Sequence, residues 1–208
     1  GGNSQTAVGV ASYADGEGAS AFGATANATG ALATAVGRNS KALAKSASAL
    51  GDSASASAWG ATALGVGASA RADNSIAVGS AAVTEGREST ALGRRSYAGA
   101  QSATALGTLA SASGVVSTAV GNGAKASAIQ ASALGNGAEA TGGSSIAIGA
   151  KARASGSDAL SSGSNANASS MNAVAVGKDS NSSAVNAIAL GTSSNVSGVS
   201  AVVIGTQA

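Results

Sequence analysis

Along this chain small residues alternate with larger or polar ones in a pattern that returns every fourteen residues. Glycine stands at 9, 23, 37, 51, 65 and onward to 205 without one insertion or deletion. Numbering each unit so that this glycine is position 14 divides Val10–Gly205 into 14 units. Positions 3 and 10 are only Ala or Ser, and position 7 is only Gly, Ala or Ser. Position 5 is Ala except at Thr84, Ser182 and Val196, and position 12 is Ala except at Ser161 and Val203. Small residues at 3, 5, 7 and at 10, 12 have the two-residue period of strands, which excludes a helix. Two short strands per unit, joined by turn-prone segments such as Gly121-Asn122-Gly123, predict an all-β fold. The expected form is a solenoid of about 14 coils with 14 residues per coil, identical positions lining up in columns. Because the register runs through essentially the whole chain, residues 1–208 are read as a single domain.

The polar columns agree with closed coils. Every charged residue falls at position 1, 2, 4, 6, 8 or 9, and a charge pointing into a coil would lose its hydration without gaining a partner. Positions 3, 5, 7, 10 and 12 therefore face inward, 4 and 6 face water, and the turns carry the rest. Positions 11 and 13 have the opposite parity to 10 and 12 and project outward, yet they are the columns richest in large apolar groups. Position 13 reads Phe22, Val36, Leu50, Leu64, Val78, Leu92, Leu106, Val120, Leu134, Ile148, Ser162, Val176, Leu190 and Ile204. Position 11 adds Ile76, Ile146, Leu160, Val174, Ile188 and Val202. Such a stripe exceeds what soluble monomers expose, so the chain is expected to associate with copies of itself, the position 13 side chains meeting on a common axis. Ser162 breaks the column, and its copies would leave either a tolerated defect or a small polar site for water or an ion.

Composition narrows the chemistry. The 208 residues include no Cys, His or Pro, and aromatics make up only 2% although 44% are hydrophobic. Without thiolate, imidazole or disulfide, no catalytic or metal-ligating residue and no cofactor is expected, and an enzyme is not expected. A charged fraction of only 10% and the lack of Pro argue against a disordered polymer. The long uncharged stretch from Ser96 to Ala124 is mostly Ser, Gly, Thr and Ala, too polar for a membrane span, so no direct insertion into a membrane is expected. The opening Gly1-Gly2-Asn3-Ser4 has no signal-peptide character, and the chain reads as a fragment of a longer one. A net charge of +2 with interleaved acids and bases gives no nucleic-acid footprint.

Few side chains stand out as contacts. Tyr13 and Tyr97, at outward position 4, and the basic pair Arg94-Arg95 are candidate ligand contacts, although Tyr is also a good strand former and turn arginines are ordinarily solvated. Trp59 lies at turn position 8 in a column with Val115, Ile129, Met171, Val185 and Val199, which points to packing against a neighbouring chain. Glu17 and Lys45 in the same column speak for exposure. Lys125, Glu139 and Arg153 occupy position 4 of successive coils, an expected ion-pair ladder of little energetic weight on an open face.

The segments Asn74-Ser75-Ile76-Ala77-Val78-Gly79, Ser144-Ser145-Ile146-Ala147-Ile148-Gly149, Asn172-Ala173-Val174-Ala175-Val176-Gly177 and Asn186-Ala187-Ile188-Ala189-Leu190-Gly191 resemble the N-S-V-A-I-G repeat of YadA-like heads in trimeric autotransporter adhesins. The resemblance implies a left-handed parallel β-roll assembled as an intertwined homotrimer. It also implies display on the cell surface of a Gram-negative bacterium, anchored in the outer membrane through a neck, stalk and C-terminal barrel that this chain lacks. The function it implies is attachment to extracellular-matrix proteins such as collagen, or to other host-cell surface ligands, through many weak repeated contacts. Several units depart from the motif with Thr at position 11, as at Thr34, Thr62, Thr90, Thr104 and Thr118. Two other functions are compatible with the pattern. One is a rigid spacer within a long surface fibre. The other is an ice-binding solenoid, whose hydroxyl array would be broken at Ile76, Ile146 and from Leu160 onward.

Overall fold

The computed structural model describes residues 4–208, which form strands and turns with no helix among them. Two compact units, Gly1–Ser102 and Ala103–Ala208, are built on the same plan. The first contains seven three-residue strands, from Thr6–Val8 to Thr90–Leu92, and seven two-residue strands, from Tyr13–Ala14 to Tyr97–Ala98. The second contains eight three-residue strands, from Thr104–Leu106 to Val202–Ile204, and seven two-residue strands, from Ser111–Ala112 to Asn195–Val196. The longer strands occupy positions 11 to 13 and the shorter ones positions 4 and 5. Within each unit a strand pairs in parallel with the strand fourteen residues further on. Ala21 lies beside Ala35 and Ala28 beside Ala42 in the first unit, Ala119 beside Ala133 and Ala126 beside Ala140 in the second. Each unit is thus a parallel β-solenoid with one sheet of longer and one of shorter strands.

The interior is as thin as the small-residue columns require. Ala19, Ala21, Ala26, Ala28 and their equivalents are fully buried, and the bulkiest side chains with no access to solvent are Thr84 and serines such as Ser40, Ser75 and Ser161. Among the described residues no charged side chain is buried. Most buried serines spend their hydroxyls on closing the turn that precedes them, whereas the buried Ser117 hydroxyl has no partner. Ser40 donates to the carbonyl of Gly37 at 2.9 Å and Ser145 to that of Gly142 at 2.6 Å. Thr84 instead reaches across the coil to Ser75 at 2.8 Å. Position 7 follows its expected inward placement only in part. Glycines there, such as Gly30 and Gly142, are buried, whereas Ala44, Ala58 and Ala72 are half-buried, because this residue opens the second turn and no longer follows strand parity.

Both corners of the coil are tight turns. The amide of position 3 donates to the carbonyl of position 14, as from Ser40 to Gly37 at 3.3 Å, and that of position 10 to position 7, as from Ala33 to Gly30 at 3.1 Å. The residue before each closing amide, at position 2 or 9, is left-handed, with φ of 55° at Asn39 and 59° at Leu32. That conformation turns its own amide toward the preceding coil, where Thr25 donates to Val10 at 2.8 Å and Leu32 to Glu17 at 2.7 Å. Coils are therefore joined by backbone hydrogen bonds at the corners as well as in the sheets, which satisfies groups that a turn usually leaves to water. The repeating glycine at position 14 has φ between 121° and 140°, a region closed to other residues. A Cβ at Gly65 would also lie 2.8 Å from the carbonyl oxygen of Gly79 in the next coil.

Candidate functional site

The outward face of the longer strands carries the apolar column. In the first unit Phe22, Leu64 and Leu92 are exposed and Val36, Leu50 and Val78 half-buried; in the second Leu134, Ile148 and Ile204 are exposed and Leu106, Val120, Val176 and Leu190 half-buried. Exposure is 48% at Leu92 and 72% at Ile204 in the last coil, and the column's members stand beside one another from coil to coil, as Val78 beside Leu92. Ile76 and Ile146 at position 11 are also exposed. Ser162 sits in this column between Ile148 and Val176, its backbone register undisturbed.

The face of the shorter strands is polar and self-engaged. In the first unit the guanidinium of Arg71 donates to Glu85 Oε1 at 2.6 Å and, through Nε, to Ser69 at 3.0 Å. The Tyr97 hydroxyl donates to the other oxygen of Glu85 at 2.8 Å, which raises the phenol above its ordinary pKa of 10.0, with burial and the Glu85 charge acting in the same direction. Its ring lies along Gly99, where a Cβ would collide with it, so the glycine lets the side chain fold back toward the preceding coil. Tyr97 is thus a fixed member of a network, whereas Tyr13 is 52% exposed. Arg94 and Arg95 are both exposed, and neither engages an acidic side chain within its own unit. Trp59 is exposed at its corner, its backbone amide donating to Asp73, which also faces Arg87. At position 1 Arg38 pairs with Asp52 at 2.5 Å, a hydrogen bond that holds the carboxyl below its usual range.

The ladder expected at position 4 is present in the second unit. Glu139 takes Lys125 Nζ on Oε1 at 3.6 Å and Arg153 Nε on Oε2 at 3.4 Å. Further along the same column Asn167 donates to Asn181 at 2.8 Å and Asn181 to Asn195 at 2.7 Å, an amide ladder running coil to coil. Beside these residues opens a groove of about 650 Å³ lined by Gly137, Glu139, Lys151, Arg153, Asn165 and Asn167. Composition does not reveal it, because the recess forms where Gly137 supplies no side chain at position 2 while its neighbours in the next coils do. Among the described residues no three of His, Cys, Asp or Glu come together, and no helix is long and apolar enough to cross a membrane.

Comparison with known proteins adds two positive findings. The family model for the YadA head domain repeat (2 copies) matches residues 6–26, 28–54, 56–82, 70–96, 85–110, 98–124, 112–138, 126–152, 140–166, 154–180 and 182–208. Among solved structures the chain is similar to the collagen-binding domain of the Yersinia adhesin YadA, at 24% identity over 93% of this chain and 69% of that one, with a TM-score of 0.33. No curated protein matches the chain.

Proposed function

Because the chain belongs to the YadA head domain repeat family, we propose that it is the head of a bacterial surface adhesin that attaches to extracellular-matrix proteins, with collagen first, or to host-cell surface ligands. The observation that carries this reading is the match of head repeats in register from residue 6 to residue 208, joined to outward columns that repeat every coil. Repetition suits weak, multiplied contacts, since each bound coil raises the effective concentration of the next. The active form is a homotrimer with the position 13 stripes on its axis, held at the surface of a Gram-negative cell through outer-membrane regions beyond this chain. The exposed Leu64, Leu92 and Ile148 support assembly, because side chains of that size contribute roughly 1.5–3 kcal/mol each once covered.

Two measurements test this. Sedimentation at micromolar concentration should give a trimer, and Leu106→Asp should prevent it by bringing three carboxylates toward one axis. Solid-phase binding to collagen and other matrix proteins should be positive for the trimer. A second reading, a spacer within a longer fibre, is favoured by the outward ladders, in which Lys125 and Arg153 pair with Glu139 and Asn167 bonds to Asn181. A folded trimer that binds no matrix protein would establish that reading instead.

A further inference from the structure

From the groove beside the position 4 ladder, we propose that the second unit binds acidic polysaccharides through the carboxylates of uronic acid residues. Two cations, Lys151 and Arg153, and one anion, Glu139, line the groove; Lys125 pairs with Glu139 at its rim and Asp179 stands behind Asn165. Glu139 is already shared between Lys125 and the Nε of Arg153, so the two terminal nitrogens of Arg153 remain as donors. Lys151 is exposed and has no acidic partner within its unit. Its stem lies beside Gly137, where a Cβ would sit 3.7 Å from Lys151 Cγ, so at this point the groove floor carries no side chain of its own. On the far side Asn165 and Asn167 each donate one amide hydrogen, to Asp179 and Asn181, at 3.0 and 2.8 Å. Their Oδ1 atoms remain as acceptors. The groove therefore offers two cationic donors beside two neutral acceptors, which suits a ligand that carries a carboxylate and hydroxyl groups on one ring.

An acidic peptide fits less well. Peptides gain affinity from main-chain pairing at a sheet edge or from apolar pockets for alternate side chains. Here the backbone is spent between coils: Gly137, Lys151 and Asn165 donate to Asn122, Asn136 and Ala150, and Glu139, Arg153 and Asn167 to Ala152, Ala166 and Ser180, all at 2.8 to 2.9 Å. The lining presents no apolar side chain. This inference is independent of matrix-protein attachment, and either can fail while the other stands.

Calorimetric titration of the chain with polygalacturonate, poly-L-glutamate and dextran at low salt tests it. Polygalacturonate should bind and dextran should not. Lys151→Gln and Arg153→Gln should each weaken binding about tenfold, as the loss of one charge-assisted hydrogen bond implies. Gly137→Asn should weaken it comparably with charge unchanged, since Asn already stands at this left-handed position at Asn39 and Asn165 and would only fill the floor. Unchanged melting of the three variants shows that the fold is kept. Equal binding of poly-L-glutamate with the same response to the variants would reassign the groove to acidic peptides. Binding of dextran, no binding of polygalacturonate, or binding indifferent to all three variants would overturn the proposal.

Discussion

Gly65 and Gly67 stand in one turn and have opposite tolerances. A Cβ at Gly65 would strike the backbone of Gly79, with φ at 130°, whereas Gly67, at φ of 64°, has nothing within 4 Å. Gly65→Ala should cost about 3 kcal/mol or more, because backbone packed against backbone cannot yield, while Gly67→Asn should be close to neutral. Paired chemical denaturation curves would measure the contrast. Val116 presents the reverse situation, a β-branched residue held at φ of 56° and 53% exposed. Val116→Asn should stabilise the protein by about 1 kcal/mol, the usual relief on removing such a side chain from the left-handed region. A fall in melting temperature would instead show that the valine is covered by another molecule.

At the scale of the coil, the small-residue columns and their two-residue alternation make both sheets, the register and the outward stripe legible in the sequence. The left-handed residues were not legible. Positions 2 and 9 hold Asn and Gly in some coils but Leu32, Arg95, Val116 and Lys151 in others, because hydrogen bonding to the preceding coil imposes the conformation whatever the side chain. The groove was equally hidden, since it depends on Gly137 meeting Lys151 and Arg153 across coils, although the ladder at its rim could be read from the spacing. That ladder lies on an open face, so Lys125→Ala should move stability by less than about 0.5 kcal/mol in thermal melts. The Tyr97 network carries a pH signature. Its phenol is raised above 10.0 chiefly by the hydrogen bond to Glu85, so the fold favours the protonated form. The associated stabilisation is complete below pH 10 and lost as the pH rises through the raised value. Melting temperature should fall more steeply with alkaline pH in the natural sequence than in Tyr97→Phe.

For the assembled molecule, the single gap in the apolar column at Ser162 is the sharpest probe. If that gap is a defect at the trimer axis, Ser162→Leu should stabilise each chain by about 1 to 3 kcal/mol, read from melting at fixed protein concentration. A lower melting temperature would mean that the hydroxyls hold water or an ion that the leucine displaces. The hydrogen bonds at both corners have a mechanical consequence as well. Bonds between coils, in sheet and corner alike, point along the direction in which coils stack, so tension applied that way opens them a few at a time and never loads a whole sheet together. One freed coil releases fourteen residues, about 45–50 Å of extended chain. Under slow pulling each unit should peel in small, evenly spaced steps at low force, lengthening by one coil at a time while the coils still stacked keep their full set of bonds.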